Sequence, residues 1–404
     1  MFVGRKKELD ALNNRYKSNR KEFGVLYGRR RIGKSSILNE FLKGKKGILF
    51  QAKQDNSYGN LKSFSYEVDH LLNLPDTFVF ASWQHAFKSI QEYAKNERFV
   101  LIIDEYPYIV SQDSSFSSVL QEFIDHTSDN MMVILSGSDI GFLQKEIQNH
   151  ASPLYKRRTF EMEIKKMNFM DAKEFVKMED VESQANYLCL MSGYPYYLST
   201  IDHTKTFYEN IQYLLFNEFG TFFNLPDQLL SNSTNVQDVY NSILVSISKR
   251  NRTIKTISED IHEAEAKVSK YISTLIKSEI VEKKNMYNGN KRTVYYDISD
   301  SMLKLWYTLI FENQEKIKIN SNLVFERNKE KLDSFLSFEF ENLSILYMDM
   351  LNEKGELEDI FPHIQNYKVD NSKLSRSIEI DGITSTKEYL LVMDCKYRNK
   401  KYTK

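Results

Sequence analysis

The chain has 404 residues, 41% hydrophobic and 27% charged, a balance that describes a globular protein large enough for two to four hydrophobic cores. Lys+Arg and Asp+Glu both number 55, so no global basic field draws the chain to nucleic acid, and any such contact must come from a local face. The two cysteines, Cys189 and Cys395, fit neither a disulfide framework nor zinc spacing; with no signal-peptide core and no run of about 18 apolar residues, a cytoplasmic protein without a membrane span is expected.

Read in order, a helix is expected over Lys6 to Lys17, followed by the short apolar strand Phe23 to Tyr27. Next comes Gly28-Arg29-Arg30-Arg31-Ile32-Gly33-Lys34-Ser35, which fits G-x-x-x-x-G-K-[ST], the phosphate-binding P-loop. From Ser35 to Leu42, Ile37, Leu38, Phe41 and Leu42 have helical spacing. Strand, glycine loop and helix is what triphosphate binding requires. The glycines let backbone N–H groups close on the phosphates, and the helix adds its positive end. Lys34 is expected on the β- and γ-phosphates, Ser35 on Mg2+, and Ser36 completes the loop's end.

Gly47 to Gln51 reads as a second strand. A helix from Ala81 to Lys95 leads into Phe99 to Ile103, and a helix from Ser114 to His126 into Met131 to Leu135. Apolar strands alternating with helices indicate a parallel sheet covered on both faces. The third strand ends in Asp104-Glu105: Asp104 is expected to orient the metal, and Glu105 to polarise the attacking water. The fourth ends in Ser136-Gly137-Ser138, where Ser136 or Ser138 can sense the γ-phosphate.

Residues 1–165 therefore read as a P-loop ATPase core, and 166–232 as a helical lid. In 233–315, helices at Val236–Ser248, Ile254–Ile261 and Glu263–Lys277 precede a β-hairpin turning at Asn288-Gly289-Asn290, the pattern of a winged helix. Lys267, Lys270, Lys277, Lys283, Lys284 and Lys291 give it a modest basic cluster, interrupted by Glu263, Glu265 and Glu279. Double-stranded DNA contact and a purely structural or protein-contact role both fit. Residues 316–404 read as a long helix, Asp333 to Asn352, followed by short strands.

Phe2-Val3-Gly4-Arg5, the P-loop, the Asp-Glu strand end, Leu135-Ser136-Gly137-Ser138 and Ser152-Pro153-Leu154-Tyr155-Lys156-Arg157-Arg158 together resemble the archaeal-type prokaryotic ATPases. These are AAA-related switch ATPases of the STAND group, in its MNS-like branch. The resemblance implies ATP and Mg2+ as ligands. It also implies Val3, Gly4 and Arg5 near the adenine, Gly193 and Pro195 of Gly193-Tyr194-Pro195 as a lid signature at the nucleotide, and Arg157 or Arg158 as γ-phosphate sensor. Lys165-Lys166-Met167 departs from the proline and leucine usual there.

In the last unit, Glu341 on the helix, Asp381 at a strand end and Asp394-Cys395-Lys396 resemble the PD-(D/E)XK nuclease signature, two carboxylates for Mg2+ and a lysine for the attacking water. Asp394 and Lys396 share one face of a strand. The sequence stops eight residues after Lys396, short of the helix and strands that usually follow, so a nuclease-like α/β domain is expected that is either truncated or completed by something else. The leading expectation is an ATP-hydrolysing switch, with the winged helix and nuclease-like domain as output and DNA, a protein or a second copy as partner. The alternatives are an ATP-regulated metal-dependent DNA nuclease, and a non-catalytic nucleotide- or DNA-binding regulator, against which Asp104-Glu105 argues.

Overall fold

In the computed structural model the four apolar runs of the first 165 residues are strands of one parallel sheet, β1 (Glu22–Tyr27), β2 (Gly47–Gln51), β3 (Phe99–Asp104) and β4 (Met131–Gly137), joined at its edge by β5 (Phe160–Glu163), whose half-polar Phe-Glu-Met-Glu gave no strand signal. Residues 2–72, 78–177, 180–230, 237–250, 252–284, 294–371 and 376–397 are described. The chain divides into two units, Met1–Lys165 and Lys166–Lys404.

In the first unit the spatial order is β2-β3-β4-β1-β5. Every residue of β1, β3 and β4 is buried, as parallel strands covered on both faces must be. Because successive side chains alternate in direction, Phe23, Val25 and Tyr27 of β1 join one core with Phe99, Leu101 and Ile103 of β3 and Met131, Val133 and Leu135 of β4. That face is covered by α3 (Ser57–Leu72), α4 (Trp83–Tyr93), α5 (Pro107–Gln112), α6 (Phe116–His126) and α7 (Ile140–Gln148). Against the other lie α1 (Lys6–Tyr16) and α2 (Lys34–Leu42), with Leu12, Ile37, Leu38 and Phe41 fully buried. With all strands parallel, the loops after β1, β3 and β4 meet at one edge of the sheet.

The second unit begins with helices α8 (Phe169–Lys173), α9 (Val181–Met191), α10 (Pro195–Leu198), α11 (Phe207–Leu215) and α12 (Leu225–Leu230). Next come α13 (Gln237–Ser248), α14 (Ile254–Ile261), α15 (Glu265–Lys277) and the antiparallel pair β6 (Val281–Lys284) and β7 (Tyr295–Ile298), in register Val281↔Ile298. The expected turn at Asn288-Gly289-Asn290, with Lys291, lies outside the described residues. Helix α16 (Ser301–Leu305) and one π-helical turn lead to α17 (Gln314–Glu353), whose backbone leaves helical geometry at Asn320. An antiparallel sheet in order β10-β9-β8 ends the described chain: β8 (Gln365–Asn371), β9 (Arg376–Ser385) and β10 (Leu390–Met393). No described helix is long and apolar enough to cross a membrane.

A buried charge network ties these stretches together. Lys304 Nζ on α16 donates to Glu339 Oε1 of α17 at 2.8 Å and to Asp297 Oδ2 of β7 at 3.2 Å. Burial pushes both carboxyls up, but Lys304 outweighs it, helped by Lys284 and Arg252 at Asp297, and holds both below the usual range. Ser301 Oγ donates to Glu339 Oε2 at 2.6 Å and receives Ser192 Oγ at 2.7 Å from the end of α9. Tyr197 Oη on α10 donates to Asp300 at 2.7 Å.

Candidate nucleotide site

The P-loop follows β1 at the carboxyl edge of the sheet. Gly28 is required there because a Cβ would lie 2.4 Å from the carbonyl oxygen of Ile164. Gly33, the N-cap of α2, has φ 93°, a left-handed geometry that glycine adopts without steric cost. Arg31 has φ 68° without that excuse, a strained backbone of the kind found at ligand-binding loops. Lys34, the first residue of α2 and 5% exposed, donates through Nζ to the carbonyls of Gly28 at 2.8 Å and Arg29 at 3.1 Å. Its ammonium is thus held inside the loop, at the positive end of α2, where phosphate oxygens are favoured.

Strand β4 lies between β1 and β3, yet the loop curls far enough to bring its serine to the acid of β3. Ser35 Oγ donates to Asp104 Oδ2 at 2.5 Å, while Asp104 Oδ1 accepts from the N–H of Glu105 at 3.0 Å. Asp104 is fully buried. Glu105 sits at φ 53°, and its Oε2 accepts from the N–H of Ser138 at 3.2 Å and its hydroxyl at 3.1 Å. Ser138 thus partners the acid. Ser136 is fully buried, and its hydroxyl makes no hydrogen bond among the described residues, an orphaned polar atom at the end of the strand beside the P-loop. A hydroxyl and a carboxylate within 2.5 Å, an ammonium and a free-standing hydroxyl form a donor set that fits a Mg2+–triphosphate, since Mg2+ takes few protein oxygens and completes its shell with phosphates and water.

The N-terminal segment clasps this loop. Gly4 and Arg5 adopt consecutive left-handed conformations, and the Arg5 guanidinium, 4% exposed, donates to the Ile32 carbonyl at 3.0 Å and to Glu8 at 2.8 Å. Arg5 therefore braces the P-loop from behind. Val3 precedes it in the non-helical segment before α1.

Arg157 and Arg158 require a correction. They precede β5, at the amino edge of the sheet, the end opposite the P-loop. Arg157 makes a two-pronged contact with Asp125 at 2.8 and 3.0 Å at the end of α6, where Lys21, just before β1, also reaches the Asp125 carbonyl. Arg158 donates to the Ile147 carbonyl and pairs with Glu161. Neither arginine reaches the γ-phosphate position of its own chain. The family resemblance was misleading here because position after the sensor strand does not reveal which end of the sheet the return loop occupies. Within the P-loop itself, Arg30 NH2 donates to Tyr108 Oη on α5 at 3.0 Å.

In the second unit, Gly193 has φ 72°, a Cβ there would lie 2.5 Å from the Met167 carbonyl, and its own carbonyl accepts from the Met167 N–H at 2.9 Å. Pro195 opens α10, where its missing N–H costs nothing. The Gly193-Tyr194-Pro195 motif thus has a local structural reason within the second unit.

The acidic cluster of the last stretch is only partly assembled. Glu341 is half-buried on α17; burial, then Asp381, Glu379 and Glu339, push its carboxyl up to about 7. Asp381 lies inside β9 and not at its end, beside a bulge opposite Gln365–Tyr367, and accepts from the Cys395 N–H at 2.6 Å. Asp394 and Lys396 do share a face, but it is the exposed one, where they pair with each other at 2.6 Å. Cys395 between them points inward, its thiol pushed up by burial, with Asp381 and Glu341 adding to it. Strand alternation alone could have placed Cys395 opposite its neighbours. Among the described residues, no group of three or more His, Cys, Asp or Glu is placed to hold a metal ion.

Residues 2–201 match the model of an ATPase domain found predominantly in Archaea, and residues 306–404 match a family of archaeal and bacterial proteins of unknown function. The chain belongs to the archaeal-type ATPase family. An uncharacterised protein of Methanocaldococcus jannaschii is 26% identical to this ATPase over 362 residues, 88% of this chain and 79% of that one. An uncharacterised ATP-binding protein of the same organism is 46% identical over 46 residues, 11% of this chain and 78% of that one. Among solved structures, a Walker-type ATPase of Pyrococcus abyssi superposes with a TM-score of 0.60 at 18% identity, covering 76% of this chain and 96% of that one. The ORC2 protein of Aeropyrum pernix, solved as ADPNP–ADP complexes, superposes with a TM-score of 0.51 at 12% identity, covering 78% and 94%. Both likenesses establish the P-loop ATPase fold of this family member.

Proposed function

We propose that this archaeal-type ATPase binds ATP with Mg2+ and hydrolyses it as a switch. The observation that carries the reading is the 2.5 Å contact between Ser35 Oγ and Asp104 Oδ2. It joins the P-loop to the acidic strand end across an intervening strand, and gives a divalent ion two adjacent oxygens. Ser35 and Asp104 would hold Mg2+, which would supply neutralisation of the phosphate charge. Lys34 holds the phosphates as a point charge, and the loop's N–H groups cradle them. Glu105 turns from Ser138 to accept the proton of the attacking water. Ser136 donates its hydroxyl to a γ-phosphate oxygen. Lys34→Ala should abolish ATP binding, and Glu105→Gln should keep binding but slow turnover by about 10²–10⁴-fold. ATP turnover surviving Glu105→Gln would overturn the assignment of the base.

The output lies in the second unit. Helices α13–α15 with the pair β6–β7 support a winged helix, though Lys267 is paired with Glu263 and Lys284 is turned towards Asn342, Glu282 and Asp297, which thins the basic face. The buried links from Ser192 through Ser301 to Glu339 connect α9 to α17 within the second unit. A protein partner or a second copy is favoured over DNA on this charge distribution. A second reading, a metal-dependent DNA nuclease under ATP control, rests on the Glu341–Asp381 pair alone and needs Asp394 and Lys396 to turn inward. Cleavage of DNA with Mg2+ or Mn2+, lost in Lys396→Ala, would establish it. Its absence with and without ATP would remove it.

A further inference from the structure

We propose that Arg30, a residue of the phosphate-binding loop itself, supplies the positive charge at the γ-phosphate that the family resemblance assigns to Arg157 or Arg158. The inference rests on the nucleotide reading above and adds a catalytic residue to it. Arg157 and Arg158 lie at the amino edge of the sheet, engaged with Asp125, Ile147 and Glu161. Six strand residues at about 3.3 Å each put roughly 20 Å between that edge and the P-loop. A guanidinium side chain does not span that distance. Charge spreads over the γ-phosphate oxygens as its bond to the β-phosphate bridge loosens, so a chain hydrolysing ATP alone needs its cation near the loop.

Arg30 meets this need. It sits two residues into the loop, half-buried, with NH2 donating to Tyr108 Oη at 3.0 Å. Tyr108 lies in the first turn of α5, and its N–H donates to the Glu105 carbonyl at 2.9 Å. The tether thus ties the loop's guanidinium to the first turn of α5, three residues after Glu105 in the segment that leaves the acidic end of β3. The next residue, Arg31, keeps a left-handed backbone at φ 68°, where glycine would cost less. Of the two residues before it, Arg29 is buried and Arg30 reaches Tyr108. The arginine acts by charge and by its planar fork. It forms and breaks no covalent bond, and no proton leaves it.

The test is equilibrium binding of a fluorescent non-hydrolysable ATP analogue and of fluorescent ADP, each with Mg2+, to the full chain and to Arg30→Ala, Arg30→Lys and Tyr108→Phe. Single-turnover hydrolysis and thermal melts accompany it. Arg30→Ala should weaken the ATP analogue at least tenfold and ADP less than threefold, and slow hydrolysis by about 10²–10³-fold. Arg30→Lys should recover analogue binding more than rate. Tyr108→Phe, which leaves the loop sequence intact, should lower the preference for triphosphate a few-fold. Equal loss of both nucleotides in Arg30→Ala, or loss of neither, overturns the proposal. So does an indifferent Arg30→Ala beside an Arg157→Ala that abolishes turnover. A wild-type chain that binds neither nucleotide would instead refute the nucleotide site, and the two failures are told apart by that control.

Discussion

Replacing Lys304 with methionine keeps the aliphatic stem and deletes the ammonium from the centre of the second unit. Its Nζ lies 2.8 Å from Glu339 and 3.2 Å from Asp297, whose side chains are 4% and 3% exposed. Breaking one buried ion pair by removing a partner costs about 3–5 kcal/mol, because the remaining charge stays desolvated. Two carboxylates lose their partner here, yet Arg252 and Lys284 still face Asp297 at 3.7 Å and Ser301 still donates to Glu339. The expected loss is therefore about 3–4 kcal/mol and not twice that. Against a typical total of about 5–15 kcal/mol, this is a large share. The two tryptophans, Trp83 and Trp306, fall in different units, so urea titration read by Trp306 fluorescence in a Trp83→Phe background reports the second unit alone. Lys304→Met with Glu339→Gln should recover part of the loss. The pH dependence should also invert. The wild type, with both carboxyls held low, loses stability as pH falls through their depressed values, whereas the variant gains stability as its stranded carboxylates protonate. A shift under about 1 kcal/mol, or a double variant as unstable as the two single losses added, would refute the network as described.

Glu341→Gln should stabilise the chain by about 1–2 kcal/mol above pH 7 and do little below pH 4.5, because the raised carboxyl, about 7 against 4.5, costs stability that develops across that window; the full shift would give about 3 kcal/mol, discounted for partial exposure. Thermal melts at pH 4.5 and 8 check it, and Mg2+ or Mn2+ should raise the wild-type melting temperature at pH 8 if the Glu341–Asp381 pair takes a metal. Ser136→Ala should leave stability unchanged or raise it by up to about 1 kcal/mol, since the buried hydroxyl has no described partner, while ATP turnover falls at least tenfold. Gly193→Ala should destabilise the second unit by more than about 1 kcal/mol through the collision with the Met167 carbonyl at a left-handed residue, measurable by the same Trp306 titration.

Strands that must be apolar on both faces announce themselves, and β2 and β3 lie where their apolar runs predict. The P-loop and Asp104-Glu105 were legible because their chemistry demands contiguous residues at a strand end. What sequence could not reveal was long-range placement. Arg157 looked like a sensor until Asp125 and Lys21 located it at the far edge. Tyr108 carries no motif, and its tie to Arg30 joins residues 78 apart. Strand β8 was missed because Gln365 to Asn371 is polar and gains strand geometry only by pairing with β9. Asp394 and Lys396 obeyed the two-residue period, but the period does not say which face meets α17.

The sheet order has a consequence for how the protein is made. Strand β1 emerges early from the ribosome, yet its two neighbours are β4 and β5, more than a hundred residues later. Until residue 163 is available, the P-loop strand has an unpaired edge and Gly28 lacks the Ile164 backbone against which it packs. At about 5–20 residues per second, that exposure lasts several seconds or longer. Nucleotide therefore cannot serve as an early template for the nascent chain; it can only trap the first unit after its last strand has docked. Slow translation between β1 and β5 should for that reason promote aggregation, and ATP in the synthesis mixture should not prevent it.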